Sequence, residues 1–523
     1  MTNAEDTGGR AAASVGSGIF LSKVSGFVRE RVFAHYFGAS GYADAWWAAL
    51  RMPNVIRNLL GEGTLSASMI PVYAEFLESG REKDAARFAG AALGILTVVA
   101  SALVLAGMAL APILVALFFP RWDPEIRDLT VRLVRILFPM TGLFVLSAWT
   151  LGILNSHRTF FITFVAPVFW NLAMIAAMIG GAVFYGLDDR PLVEALAWGA
   201  LTGGVVTLLV QVPFLLRYTR GMRPSLGRGV EGVREAIANF VPVVAARGIV
   251  NVSGWIDMIL AGRLMPGAVA VMGYAQTFAN LPISLFGTGV AAAELPELSR
   301  MRAEVQEVLA ARVTQSMRRA LFFLVPSAVA YVTLGDVIVA ALYQTGAFDL
   351  PQTLVTWGVL GAYALGLPAS ASSRVLSSAF YALRDTATPA KMAYLRVGVS
   401  VVVGVALMLP ADRLGFSTLR LGAAGLALGS AVGAWLEFVL LRRALVGFIG
   451  PHGPESGTVL RLILAALLGA LGGVGLQVVL PAAHPILVAA ETLVPFGVLY
   501  LLLTSLMGVG MPLRPSRRGP VTP

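Results

Sequence analysis

The sequence predicts an all-α polytopic membrane protein of about 14 transmembrane helices, built as two six-helix lobes from an internal duplication plus two C-terminal helices. Three observations predict it: 57% apolar residues with only 13% charged, a succession of apolar stretches of spanning length, and a repeat at an offset of 229 residues. Soluble proteins hold roughly 45–50% apolar and 25% charged residues, so a soluble fold is excluded. The mean hydropathy of +0.77 agrees. At about 20 residues per span and about a dozen per connection, 523 residues hold on the order of 14 helices.

The apolar stretches fall near 13–36, 43–76, 85–119, 128–154, 160–186, 192–217, 235–264, 269–297, 313–346, 352–382, 390–410, 419–446, 457–480 and 485–508. Gly, Pro and charge clusters separate them. The first ten residues are polar and end in Arg10. The apolar sequence after them runs too long, with no small-residue cleavage site, for a removable signal peptide, so the first span is expected to stay. Connections of at most about 20 residues leave no room for an extramembrane domain.

The net charge of +10 resides mostly in short loops, where Lys and Arg set membrane orientation; nucleic acid is not the expected partner. One set of alternate connections carries Arg81, Lys83 and Arg87, then Arg217, Arg220, Arg223, Arg228 and Arg234, then Arg300, Arg302, Arg312, Arg318 and Arg319, then Arg384 and Lys391, then Arg442 and Arg443, then the tail with Arg514, Arg517 and Arg518. That set is read as cytoplasmic, with both termini inside, although the opposite face has one basic segment, Arg121 to Arg135. The chain lacks cysteine, which excludes disulfides and thiol catalysis, and its four histidines leave little for a metal centre. No cofactor or metal is expected.

Adding 229 carries Gly38-Ala39 onto Gly267-Ala268, Pro53 onto Pro282 and Pro139 onto Pro368. Each of the first two prolines also precedes a Gly-x-Gly, Gly61/Gly63 and Gly287/Gly289, and then another Pro, Pro71 and Pro296. The expected organisation is a cytoplasmic N-terminal tail (1–12), an N-lobe of helices 1–6 (13–220), a C-lobe of helices 7–12 (221–448), helices 13–14 (449–508) and a basic cytoplasmic tail (509–523). An even number of spans per repeat makes the halves parallel, with a substrate site expected where they meet.

A charge within a span costs about 2.5–3.5 kcal/mol on insertion scales, so each needs a reason. The first two spans hold Lys23, Arg29, Glu30, Arg31, Arg51, Arg57 and Glu62. Arg29 either pairs with Glu30 or Glu62 to hold the bundle, or joins Lys23 and Arg57 in a water-filled cationic cavity. The surplus of cations favours the cavity, and guanidinium forks suit phosphate or carboxylate oxygens. The glycines around Glu62, in NLLGEGTLS, serve either close helix packing or a flexible gate. Asp257 is either a structural acceptor or a cation or proton site. Arg247, in the same span, lies ten residues away, about 15 Å along a helix, too far to pair with it.

GxSxG, HExxH, Walker and kinase signatures are absent, so an enzyme is not expected. A membrane-embedded glycosyltransferase is disfavoured by the short loops, and a cationic-drug antiporter by the arginine surplus.

The stretches SKVSGFVRERVFAHYFGAS, ADAWWAALRMPNVIRNLLGEGTLSASMIPVYAEF, GILNSHRTFFITFVAPVFWN, LPISLFGTGVAAAELPELS, LYQTGAFD and SSAFYALRDTATPAK resemble, in order, the signatures of the MurJ (MviN) lipid II flippase family. This family is a branch of the multidrug/oligosaccharidyl-lipid/polysaccharide (MOP) exporter superfamily. The resemblance runs from about Ser14 to Phe448. It implies a cationic central cavity, a lipid-tail groove on helices 13–14, and movement of lipid II, the peptidoglycan precursor, from the inner to the outer leaflet of the bacterial cytoplasmic membrane by alternating access. Cell-wall synthesis proteins are possible partners on this reading. The alternative is a flippase for another polyprenyl-diphosphate-linked oligosaccharide, a capsule or O-antigen unit.

By the family pattern, Arg29 and Arg57 match required cavity arginines, Lys23 stands where relatives often have Arg, Glu30 follows Arg29 as an acid often does, Asp44 matches a family aspartate, and Glu62 matches the gating glutamate. Two departures stand out. A cavity arginine of the eighth span falls at Thr277, which leaves Arg247 as the expected substitute. The sodium-site pattern matches at Asp257 but meets Ser400 and Gly404 at its other two positions.

Overall fold

In the computed structural model, residues 2–159, 161–219, 221–284, 306–416, 419–479 and 484–510 are described, with backbone only at 2–16, 62, 66–67, 242–243, 245–253, 306–307, 415–416 and 419. By its internal packing the chain divides into two units, Met1–Pro266 and Gly267–Pro523.

The first unit contains α1 (Thr2–Phe37), α2 (Gly41–Leu60), α3 (Glu62–Ser68), α4 (Ile70–Glu78), α5 (Glu82–Phe118), α6 (Pro124–Ser156), α7 (Phe161–Tyr185), α8 (Asp189–Leu215) and α9 (Val233–Ala261). Local chemistry sets several of these bounds. Gly38 turns the chain at φ +52°, where a side chain would be strained, and Ser40 then caps α2 by accepting the Ala43 N–H at 3.3 Å. Asp123 accepts the Glu125 N–H at 2.8 Å, and Pro124 opens α6 where its missing N–H costs nothing. α6 forms the core, burying Leu129, Leu133, Leu137, Met140 and Ile153 completely. α7 and α8 approach through small residues: a Cβ on Gly199 would lie 2.4 Å from Ala177 Cβ.

The second unit contains α10 (Ala268–Pro282), α11 (Gln306–Thr333), α12 (Gly335–Tyr343), α13 (Leu350–Ala364), α14 (Leu367–Ala382), α15 (Ala387–Ala411), a two-stranded hairpin of β1 (Gly415–Phe416) and β2 (Leu419–Arg420), α16 (Gly422–Ile449), α17 (Ser456–Val479) and α18 (Pro485–Leu506). α11 and α12 meet at a bend of 81°. Gly425, Gly429 and Gly433 of α16 leave no room for a Cβ against α15, the gap at Gly429 to Gly404 N being 2.4 Å.

Among the described residues nine helices, or ten with the bent α11–α12 pair as one span, are long and apolar enough to cross a membrane. The four other expected spans also carry helices: α1, the broken α2–α4, α9, and α10, which runs to the edge of the described residues. About 14 spans is consistent with this. The helix order repeats at the 229-residue offset. It carries α6 onto α13–α14, α7 onto α15 and α8 onto α16 within a few residues. It also carries α1 onto α9, yet α9 packs in the first unit, against α2, α3 and α5. Repeat and packing therefore partition the chain differently.

Candidate functional site

The first unit brings two of the expected cations into one connected group. Arg29 on α1 donates through Nη1 to Asn171 Oδ1 at 2.9 Å and through Nη2 to the buried Glu30 carboxylate. Asn171, on α7 and only 4% exposed, is held in turn: its Nδ2 donates to Ser25 Oγ at 2.9 Å and to the Ser22 carbonyl at 3.4 Å. A buried amide must use its donors and its acceptor, and here the donors reach α1 backbone and side chain while the oxygen receives the arginine. α1 comes close to α7 at Gly18, where an added Cβ would lie 2.8 Å from Phe164 Cβ.

Aromatic rings carry the group from Arg29 to Arg57. The Arg29 guanidinium lies 5.1 Å from the Trp170 ring centre, Trp170 meets Phe144 edge-on at 5.4 Å, and Arg57 lies 4.8 Å from the Phe144 ring centre. A cation over a ring face gains about 0.5–2 kcal/mol, more as water is excluded. Trp170 is fixed by its indole N–H, which donates to the Ala200 carbonyl at 3.1 Å. Arg29 has 19% of its side chain exposed and Arg57 is exposed, so neither guanidinium is sealed inside the unit. This ladder sets two guanidiniums at the ends of one chain of rings, and guanidinium forks suit a group with several anionic oxygens.

Arg29 pairs with Glu30, one of the two acidic partners the sequence offers it, and also lies over the Trp170 ring. Lys23 is exposed on α1, and Asp44 is buried in the first turn of α2. Glu62 opens α3, and its side chain lies outside the described residues. The break before it is set by Gly61, where a Cβ would come within 2.1 Å of the Arg57 carbonyl, so glycine is required at the point where α2 ends. Arg247 sits on α9, and its side chain also lies outside the described residues. Asp257 is half-buried on α9. In the second unit, the Thr277 hydroxyl donates to the Gly273 carbonyl at 3.1 Å, while Ser400 and Gly404 are buried where α15 meets α16. Among the described residues there is no group of three or more metal-ligating side chains.

Sequence reasoning missed Asn171, Trp170 and Phe144. A buried amide in an otherwise apolar span is itself a signal and could have marked Asn171. Nothing local marks the two rings, because an aromatic in a span is ordinary.

The family model described as Lipid II flippase MurJ matches residues 33–481. The chain is 31% identical over 437 residues to the probable lipid II flippase MurJ of Rhizobium tropici, covering 82% of this chain and 79% of that one. It is also 31% identical over 439 residues to the lipid II flippase MurJ of Burkholderia cenocepacia, covering 83% and 82%. Its fold is similar to a solved lipid II flippase MurJ in an inward closed conformation, with TM-score 0.76 and 22% identity over 94% of this chain and 98% of the other. An inward-facing multidrug resistance MATE family transporter of the MOP superfamily is similar at TM-score 0.61 and 17% identity, over 78% and 94%.

Proposed function

This chain belongs to the lipid II flippase MurJ family, and from that premise we propose that it moves lipid II from the inner to the outer leaflet of the bacterial cytoplasmic membrane by alternating access. The family is one of transporters, and the work is translocation without covalent chemistry. The observation that carries the reading is the Arg29–Trp170–Phe144–Arg57 ladder. A diphosphate taken from water into an apolar surrounding loses several kcal/mol of hydration, and fixed guanidiniums replace that hydration. The partial neutralisation of Arg29 by Glu30 lowers the cost of keeping the site charged when no substrate is present.

On this reading Lys23, Arg29, Arg57 and Arg247 bind the diphosphate. Glu30, Asp44 and Glu62 act as acidic partners or at a gate, and the helix break at Gly61 next to Glu62 supports the gate. Asp257 is the ion-site candidate. With Ser400 and Gly404 at the companion positions, a hard cation would find few oxygens, so membrane potential or protons are the proposed energy source. The repeat supports lobes at 13–220 and 221–448 with a lipid-tail groove at 449–508, and loop arginine supports cytoplasmic termini. Cell-wall synthesis proteins are the proposed protein partners. Replacing the resident flippase of a depletion strain with this chain, and reading the leaflet of lipid II, tests the proposal. Restored outward lipid II is expected, and growth restored only with another polyprenyl-diphosphate oligosaccharide would overturn it.

A further inference from the structure

In the second unit one helix is buried on nearly every side and leaves a single strip of its surface open. α14 follows α13 within the candidate span Leu350–Ala382, and eleven of its sixteen residues are buried. The five others are Pro368, Ser370, Arg374, Ser377 and Tyr381. The last four follow one another at intervals of four, three and four residues, so they stand in one row on one face of the helix, about 16 Å from end to end. Arg374 and Tyr381 are exposed and the two serines half-buried. A helix face open to lipid shows apolar side chains instead, as α15 does at Leu395, Val402 and Leu409. An ionisable residue in a span faces a bundle interior or a water-filled space, and by that rule the open row of α14 faces water.

The polar groups of this row are uncommitted. Among the described residues the Arg374 guanidinium and the Ser370, Ser377 and Tyr381 hydroxyls make no hydrogen bond or ion pair, whereas Ser378, on the buried side, donates to the Arg374 carbonyl at 3.0 Å. Glu437 on α16 lies within electrostatic reach of Arg374 and Tyr381, but its carboxylate is bound to Arg396 at 2.8 Å. Arg396 is within reach of Arg374 as well, so two guanidiniums face one carboxylate and one positive charge is left over. The first half of the chain has no such row. The 229-residue offset carries its four members onto Thr141, Val145, Ala148 and Gly152, all buried, and the Thr141 hydroxyl is satisfied within its own helix by donating to the Leu137 carbonyl at 3.4 Å.

Three hydroxyls in line with one cation suit a ligand that has many neutral oxygens and an anionic group among them, and the row is longer than a diphosphate. Hydroxyls donate to and accept from sugar hydroxyls and amides, and the guanidinium fork matches a carboxylate. We propose that this row binds the water-soluble head of the carried lipid, with Arg374 taking a carboxylate of its peptide and Ser370, Ser377 and Tyr381 taking sugar hydroxyls and peptide amides. The proposal rests on the lipid II reading and deepens it: it assigns the peptide, and not the diphosphate, to α14.

The test measures equilibrium binding to the full chain in nanodiscs with three probes: lipid II, lipid II whose peptide carboxylates have been amidated, and undecaprenyl diphosphate. The unaltered chain should hold lipid II about tenfold more tightly than the amidated form, the effect of one charge-assisted hydrogen bond. Arg374→Gln should remove that preference while leaving undecaprenyl diphosphate within about twofold, and Arg374→Lys, which keeps the charge without the fork, should restore part of it. The double variant Ser377→Ala, Tyr381→Phe should weaken both forms of lipid II alike, about threefold, with undecaprenyl diphosphate again unchanged. Because the readout is a preference between two ligands on the same variant, a general loss of folded protein does not imitate it. A preference that persists in Arg374→Gln, or a tenfold loss of undecaprenyl diphosphate in that variant, would overturn the proposal alone. Failure of the unaltered chain to bind either form of lipid II would overturn the lipid II reading and the proposal with it.

Discussion

At the register set by the repeat, Asn171 corresponds to Ser400, Trp170 to Val399, Phe144 to Ser373 and Arg29 to Met258. The first half uses these places to hold a guanidinium, whereas the second uses one of them for helix contact: a Cβ on Gly433 would meet Ser400 Oγ at 2.0 Å. The second unit has its own ion pair, Arg396 with Glu437 at 2.8 Å, but the offset carries these residues back to Pro167 and Leu208. Duplication has kept helix order while the charges have moved. Helix order depends on the volume and apolarity of many residues, which tolerate exchange, whereas a charge site depends on a few side chains that diverge independently.

The largest expected effect separates the two arginine pairs. Arg29→Ala should cut lipid II movement on the order of a hundredfold, because two charge-assisted contacts and the proposed substrate contact go together. Arg396→Ala should retain transport within about threefold and instead destabilise the second unit by about 1–3 kcal/mol, since the 9%-exposed Glu437 loses its partner while Arg396 itself is 35% exposed. Vesicle translocation and thermal melts read the two quantities. Equal transport loss in both variants would break the contrast.

Exchanging the register partners comes next. Asn171→Leu should lower transport about tenfold by releasing Arg29 Nη1, and Asn171→Asp should recover only part of it, because the carboxylate still accepts from the guanidinium but cannot donate to the Ser22 carbonyl as Nδ2 does. The reciprocal Ser400→Asn should leave chemistry alone and cost about 1–3 kcal/mol of stability through overpacking against Gly433. A melt unchanged by Ser400→Asn would show that this contact is not the constraint.

Trp170→Leu should give a smaller loss, about threefold, from the missing cation–π contact. Trp170→Phe should recover part of it. If Trp170→Leu equals Arg29→Ala in severity, the ring does more than hold the guanidinium.

The smallest effect concerns His157, just after α6, whose counterpart is Thr386. Its ring stacks on Tyr218 at 4.1 Å and Nε2 lies 3.1 Å from the Tyr73 hydroxyl, and burial holds its pKa below the ordinary 6.5 despite the carboxylate of Glu82. Because the folded value is the lower one, its stabilising contribution is complete above about 6.5 and is lost as pH falls through the folded value. Melts of the unaltered chain should therefore drop on the order of 1 °C more between pH 7 and 5 than those of His157→Gln. An identical pH response would remove the histidine from the account.

The sequence by itself determined the membrane class, the succession of spans, the repeat and the cationic character of the first two spans. Hydropathy, glycine and proline placement and charge excess are local properties that no partner is needed to express. It also marked Gly61 as a point of change beside Glu62, because a Gly-x-Gly inside a span has few uses. Tertiary structure alone decided that Arg29 meets Asn171 across 142 residues of chain, that two rings connect it to Arg57, and that α9 packs with the first unit although the repeat pairs it with α1. Each depends on which face of one helix is presented to another, and in lipid that choice rests on close packing and a few polar contacts, because apolar residues are equally at ease against lipid or protein.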